Sequence, residues 1–306
     1  MNKKIIVFGS KGLVGTSVTK IFSEAGYDIF PSSRKDTDLF KIDQVKNLIE
    51  EFKPNLIINA AAKVGGIYAN DTLRTEFLIE NLKINTNILE SCIPNKNIEI
   101  INLGSSCIYP LDAKNPIAES SIMSGVLEPT NSPYAMAKLT AIELGRSLSI
   151  QYGHKVTNLM PTNLYGPHDN FDEINSHVIP GLISRMHKSK LNKEKEFSIW
   201  GTGKPLREFL FVDDLAYAIK FIVENNIETD LINVGSNEEV SILELAKEIK
   251  SVVGFEGELI FDSTKPDGNP RKLLDSTKIN NLGWKPSISL QKGLKITYEW
   301  FLNNKD

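Results

Sequence analysis

Three glycines at the first strand-to-helix junction constrain this chain more than any other feature. Ile5-Ile6-Val7-Phe8 is a short continuous apolar run ended by Gly9, so it reads as a strand buried on both faces. Gly9-Ser10-Lys11-Gly12-Leu13-Val14-Gly15 follows it, and residues 13–25 carry a helical pattern stopped by Gly26. Glycine here permits a tight turn and close approach of backbone N–H groups to a pyrophosphate, whose charge also meets the positive end of the helix dipole. The GxxGxxG spacing alone is a weak signal, since a glycine-rich turn can exist without a ligand. Its context, after a first strand and opening a first helix, is what points to a dinucleotide. Gly9, Ser10, Gly12, Leu13, Val14 and Gly15 are therefore the candidate cofactor contacts.

Strand and helix alternate from there on. Strand patterns at 27–31, Leu56–Asn59, 98–103 and 156–160 are separated by helical patterns near 43–52, 77–91 and 133–152. Ser132 offers an N-cap to the last of these helices, and Pro133 suits its first position. Short apolar strands between helices predict an α/β fold, a doubly wound parallel sheet of Rossmann type. After Pro161 the alternation loosens into a loop, 162–176, of a length usually reserved for function. The expected boundary lies there. Residues 1–161 plus about 205–236 form a dinucleotide-binding domain, and about 162–204 plus 237–306 a smaller substrate-binding domain. In this reading 207–212 and Leu231–Val234 return to the main sheet.

Composition narrows the function classes. With 306 residues, 41% hydrophobic and 24% charged, the chain has material for two domains and none of the bias of a disordered one. Thirty-five basic against 38 acidic residues give a net charge of −3, which excludes the electrostatic footprint of a general nucleic-acid binder. Any anionic ligand must be met locally. Two cysteines, Cys92 and Cys107, supply neither a disulfide framework nor a metal site. A reducing compartment, the cytoplasm, is expected. The first apolar run is too short for a signal sequence, and no window approaches the ~20 apolar residues of a membrane span.

Cofactor choice is read at the end of the second strand. NAD would want an acidic residue about 20 positions after the glycine turn to hold the ribose 2′-hydroxyl. Ser32-Ser33-Arg34-Lys35 stands there instead, and Arg34 suits a 2′-phosphate through charge-assisted hydrogen bonds. NADP(H) is the expected cofactor, with Asp36 or Asp38 the alternative ribose ligands if the strand ends later.

Tyr134 and Lys138, four apart on a helix, project from one face. A cation beside a phenol favours the phenolate, bringing a group with a reference pKa near ~10 toward the range of proton transfer. A surface pair is the bland alternative. Ser105 lies just past the fourth strand, at the carboxyl edge where open α/β sheets bind ligands. An extended backbone over Gly104-Ser105-Ser106-Cys107 sends Ser105 and Cys107 to the same side, placing a thiol in the cleft. Read alone, Cys107 is a small core residue.

The glycine turn, Ser105, Tyr134 and Lys138 together resemble the extended short-chain dehydrogenase/reductases that act on nucleotide sugars. Longer strings are similar to the GDP-L-fucose synthase branch of that family. They are Lys63-Val64-Gly65-Gly66-Ile67, Leu103-Gly104-Ser105-Ser106-Cys107-Ile108-Tyr109-Pro110, Pro161-Thr162-Asn163-Leu164-Tyr165-Gly166-Pro167-His168-Asp169-Asn170-Phe171, Ser176-His177-Val178-Ile179-Pro180 and Lys265-Pro266-Asp267-Gly268.

The resemblance implies epimerisation of GDP-4-keto-6-deoxy-D-mannose at carbons 3 and 5, then reduction by NADPH at carbon 4. It implies Cys107 as base, His177 as acid, Tyr134 as donor to the carbon-4 oxygen, Ser105 as its orienting group and Lys138 on the ribose. Of the four histidines, His177 stands just before a helical start, and imidazole can serve as an acid near neutrality. Asn163, Leu164 and His177 are implied along the cofactor. Arg185 and Arg207 are implied on the diphosphate, Trp200 on the guanine or ribose, with Lys265, Asp267 and Arg271 nearby. A homodimer joined through the helices at 77–91 and 133–152 is implied as well. A 4,6-dehydratase would need an acidic pair where Ser106-Cys107 stands. Two alternatives remain open: a carbon-4 reductase of a related GDP-4-keto sugar such as a GDP-heptose, and a non-catalytic NADP-binding scaffold.

Overall fold

The structure, a computed structural model, describes residues 3–173, 175–264 and 267–304. Its first half runs β1 (Lys4–Phe8), α1 (Leu13–Glu24), β2 (Asp28–Ser32), α2 (Ile42–Phe52), β3 (Leu56–Asn59), α3 (Ile67–Thr72), α4 (Arg74–Cys92), β4 (Glu99–Leu103), α5 (Ser132–Tyr152) and β5 (Val156–Pro161). The second half runs β6 (Asn163–Tyr165), α6 (Val178–Leu191), β7 (Glu196–Trp200), β8 (Leu206–Phe211), α7 (Val212–Glu224), β9 (Leu231–Val234) and β10 (Glu239–Ser241). It closes with α8 (Ile242–Val253), β11 (Glu258–Asp262), β12 (Arg271–Lys272), α9 (Thr277–Asn281) and α10 (Leu290–Asn304).

A six-stranded parallel sheet in the order β2-β1-β3-β4-β5-β9 forms the main body, as the alternation predicts. Ile5 and Val7 pack with α1 and α7 on one face, while Ile6 and Phe8 pack with α2, α4 and α5 on the other. All four side chains are fully buried, each worth about 1.5–3 kcal/mol of transfer free energy. Strand order reverses between β1 and β3, so the crevice beyond their carboxyl ends is the expected ligand site.

The 207–212 pattern predicts a strand, and one forms, but it does not return to the main sheet. β9 takes the edge of β5, with Asn158 opposite Leu231 and Pro161 opposite Val234. β8 instead pairs with β6, β10 and β12 in a second sheet. Hydrophobic periodicity specifies a strand without specifying its partner. β6 also breaks up the expected 162–176 loop. A separate core beneath the second sheet joins Ile183, Phe197, Phe211, Leu245, Ile249 and Leu294.

Candidate active site

Gly9 has φ of 78°, a conformation that favours glycine, and a Cβ at Gly15 would overlap the Gly9 carbonyl. The turn is fixed by Gly9 N–H and Ser10 N–H, both donating to Ser32 O at 3.1 Å, and by Gly12 N–H donating to Gly9 O at 3.1 Å. Gly12 caps α1 without a side chain, leaving the N-terminal amides of the helix open to a ligand; Leu13 and Val14 form its first turn. Ser10 Oγ and Ser32 Oγ are buried with no hydrogen-bond partner. Such orphaned hydroxyls beside a glycine cradle fit a polar cofactor. Arg34 and Lys35 are exposed just beyond β2. Asp36 is held by Ser33, whose backbone N–H and hydroxyl both donate to its carboxylate, which keeps that carboxyl below its ordinary range.

Ser105 follows β4 after Gly104, but the backbone beyond it is not extended. Ser106–Ile108 forms a 3₁₀ turn, with Ser105 Oγ accepting from Cys107 N–H at 3.2 Å. Strand alternation is therefore the wrong reason for bringing Ser105 and Cys107 together; a capped turn does it. Cys107 is partly exposed, whereas Cys92 is buried in the main core.

Tyr134 and Lys138 project from α5 beside this turn. Lys138 is only 2% exposed and donates to Leu103 O at 2.6 Å, which ties α5 to the end of β4. Burial lowers its pKa to about 8. Its Nζ stands 5.8 Å from the Tyr134 ring centroid. The phenol is not drawn down as a cation neighbour alone would predict. Burial pushes it up, the Cys107 charge adds in the same direction, and a hydrogen bond with Ser105 pulls back. Desolvation wins because the phenolate would sit out of water. The phenol thus keeps its proton at neutral pH.

His177 caps α6, its Nδ1 3.9 Å from Asp169 Oδ1. Asn163 Nδ2 donates to Glu208 O at 2.8 Å, and Leu164 packs against the main core. Farther out, the Arg185 guanidinium lies 5.3 Å from both the Phe197 and Trp200 ring centroids, and Trp200 is 54% exposed. A half-exposed indole against a cation is not part of the core. Burial lowers the pKa of both Arg185 and Arg207, with Asp267 opposing the effect on Arg207. Asp267 accepts from Thr202 N–H at 2.6 Å and Thr202 Oγ1 at 2.8 Å. Lys265 lies outside the described residues.

Arg271 is committed elsewhere, its Nε and Nη2 forking onto Glu239 at 2.6–3.0 Å. The next residue lies beside the turn after β4. Lys272 Nζ reaches Cys107 Sγ at 3.7 Å. Sequence reasoning missed Lys272; the only available signal was strand alternation, which sends neighbours Arg271 and Lys272 to opposite sides. Asp169, which faces His177, is likewise not singled out by the sequence.

The turn after β4 brings together a phenol with its proton, a hydroxyl and a thiol beside an ammonium, and the His177 imidazole faces Asp169 at the start of α6. The sequence model described as the NAD dependent epimerase/dehydratase family matches residues 5–235. The chain is 47% identical to GDP-L-fucose synthase 1 of Arabidopsis thaliana, over 98% of this chain and 94% of that protein. It is 43% identical to the GDP-L-fucose synthase of Escherichia coli, over 99% and 98% of the two chains. Among solved structures, the GDP-mannoheptose C4 reductase of Campylobacter jejuni with NADP bound superposes with a TM-score of 0.89 at 33% identity, covering 98% of each chain.

Proposed function

We propose, from the premise that this chain belongs to the NAD dependent epimerase/dehydratase family, that it converts GDP-4-keto-6-deoxy-D-mannose to GDP-L-fucose. NADP(H) is the cofactor. The orphaned Ser10 and Ser32 hydroxyls and the glycine cradle fit its phosphates and ribose, and the exposed Arg34 and Lys35 suit a 2′-phosphate. When bound, the reduced nicotinamide supplies a hydride to carbon 4.

The chain's own residues do the rest. The ketone at carbon 4 acidifies the hydrogens on carbons 3 and 5, so one base and one acid, applied twice, can invert both centres. Cys107 removes each proton and His177 returns one to the opposite face. Tyr134 then donates its proton to the carbon-4 oxygen, which the Ser105 hydroxyl orients, while Lys138 holds the ribose. Reduction removes the ketone and with it the acidity that permits exchange. Arg185 and Arg207 meet the diphosphate and Trp200 the base, on the second sheet's side of the crevice.

The thiol carries this reading. Reduction alone requires Tyr134, Lys138 and Ser105; a partly exposed cysteine held next to that serine has no task in it. Incubation with the keto sugar in heavy water, without NADPH, tests the point. Deuterium at carbons 3 and 5 is expected. Absence of label reduces the activity to carbon-4 reduction of a GDP-keto sugar.

The protein works in the cytoplasm as a homodimer. Among the described residues, no helix is long and apolar enough to cross a membrane. α4 and α5 pack side by side and leave Ile79, Met136 and Ile150 exposed, which supports pairing of two copies through these helices.

A further inference from the structure

We propose that Gly66 and Gly181 position His177, by seating the residue before it, Ser176, between two surfaces that have no side chain. The inference rests on the reading of His177 as the proton donor given above.

Gly66 caps α3 with φ −67° and ψ 179°, extended backbone that any residue adopts. Gly181 lies in the first turn of α6, where its N–H donates to His177 O at 3.0 Å. Neither position demands glycine for its backbone, and alanine is the better helix former at Gly181. Contact is what excludes a side chain. A Cβ on Gly66 would stand 2.5 Å from the Ser176 carbonyl oxygen, and a Cβ on Gly181 2.6 Å from Ser176 Oγ. Gly66 N–H also donates to Asn175 O at 2.9 Å, so the loop leaving β3 is bonded to the segment entering α6.

His177 depends on that segment. Its side chain is 46% exposed, facing Asp169 at 3.9 Å, so the direction of the ring follows from where the backbone enters the helix. Cys107 and Tyr134 are held independently, by the turn after β4 and by α5. A shift of Ser176 therefore moves the acid and leaves the base and the reductive donor in place.

The chemical consequence is specific. Cys107 breaks a C–H bond at carbon 3 or 5, taking the proton on sulfur and leaving the electron pair in an enolate through the carbon-4 oxygen. With His177 in place, a new C–H bond forms on the opposite face and the centre inverts. With His177 displaced, the thiol returns its solvent-exchanged hydrogen to the face it came from. Label enters, and configuration is kept.

The test compares wild type, Gly66→Ala, Gly181→Ala and the double variant Ser176→Ala/Gly181→Ala, each with the keto sugar in heavy water without NADPH. NADPH oxidation is followed in parallel. Gly66→Ala should lose inversion about tenfold or more while still incorporating deuterium with retention, and should still reduce carbon 4. Gly181→Ala should be milder, because a serine hydroxyl can rotate and a backbone carbonyl cannot. Removing that hydroxyl in the double variant should restore inversion, since Ser176 Cβ stands 4.0 Å away. Wild-type inversion in Gly66→Ala, a double variant no better than Gly181→Ala, or equal loss of exchange, inversion and reduction overturns the proposal. If wild type incorporates no deuterium, the epimerase reading itself fails and this inference falls with it.

Discussion

Lys272 Nζ stands 3.7 Å from Cys107 Sγ, across 165 residues of chain. A cationic donor touching the sulfur holds the thiol toward the cleft. Lys272→Ala should lower deuterium incorporation at carbons 3 and 5 by about tenfold, with NADPH oxidation much less affected. Loss of both in the same proportion would show instead that Lys272 serves the whole substrate.

Tyr134 offers the converse separation. Burial keeps its phenol protonated, so it is equipped to donate and has no part in removing protons from carbon. Tyr134→Phe should cut reduction by about 100- to 10,000-fold, the usual worth of a positioned acid. Exchange at carbons 3 and 5 should persist. A variant that reduces the keto sugar at the wild-type rate would falsify the assignment.

Lys138 gives a stability prediction. Its pKa is lowered from 10.5 to about 8 by burial. Between those values the unfolded chain binds this proton and the folded one does not, so stability rises with pH in that window. Below about pH 8 both states are protonated and the full cost of burying the charge remains, about 3 kcal/mol by linkage. Thermal unfolding of the ligand-free protein should show the wild type gaining stability relative to Lys138→Met as pH rises from 8 toward 10.5. Parallel curves would mean that the hydrogen bond to Leu103 O satisfies the ammonium.

The parts of this molecule legible in its sequence are those built from neighbouring residues. The glycine turn, the buried β1 and the Tyr134–Lys138 pair each lie within one helix turn or strand, where spacing sets geometry. The parts that escaped depend on which strands meet. β9 joins the main sheet as its pattern predicts, and β8 reads as a strand, yet only the finished fold leaves β8 to β6, β10 and β12. That choice matters at the site. It brings β12, and so Lys272, beside the turn after β4. Glu208 makes the arrangement rigid: fully buried in β8, its carboxylate accepts from Leu274 N–H at 3.1 Å and Asn237 N–H at 2.8 Å. An isolated glutamate in an apolar run gives no hint of such partners.

The second strand runs one residue past its expected end, to Ser32, and Arg34 follows in an exposed turn. Asp36 is occupied by the Ser33 N–H and hydroxyl at 2.8 and 2.6 Å, which makes it a poor ribose ligand. A guanidinium on a 2′-phosphate makes charge-assisted hydrogen bonds that the 2′-hydroxyl of NADH cannot return. Arg34→Ala should therefore weaken NADPH by about 10- to 100-fold, from the ~1.5–3 kcal/mol of a hydrogen bond to a charged group. Binding of NADH, followed by fluorescence titration beside it, should change little. Equal weakening of the two would place the 2′-phosphate elsewhere and transfer the discrimination to Lys35 or to the serines of the turn.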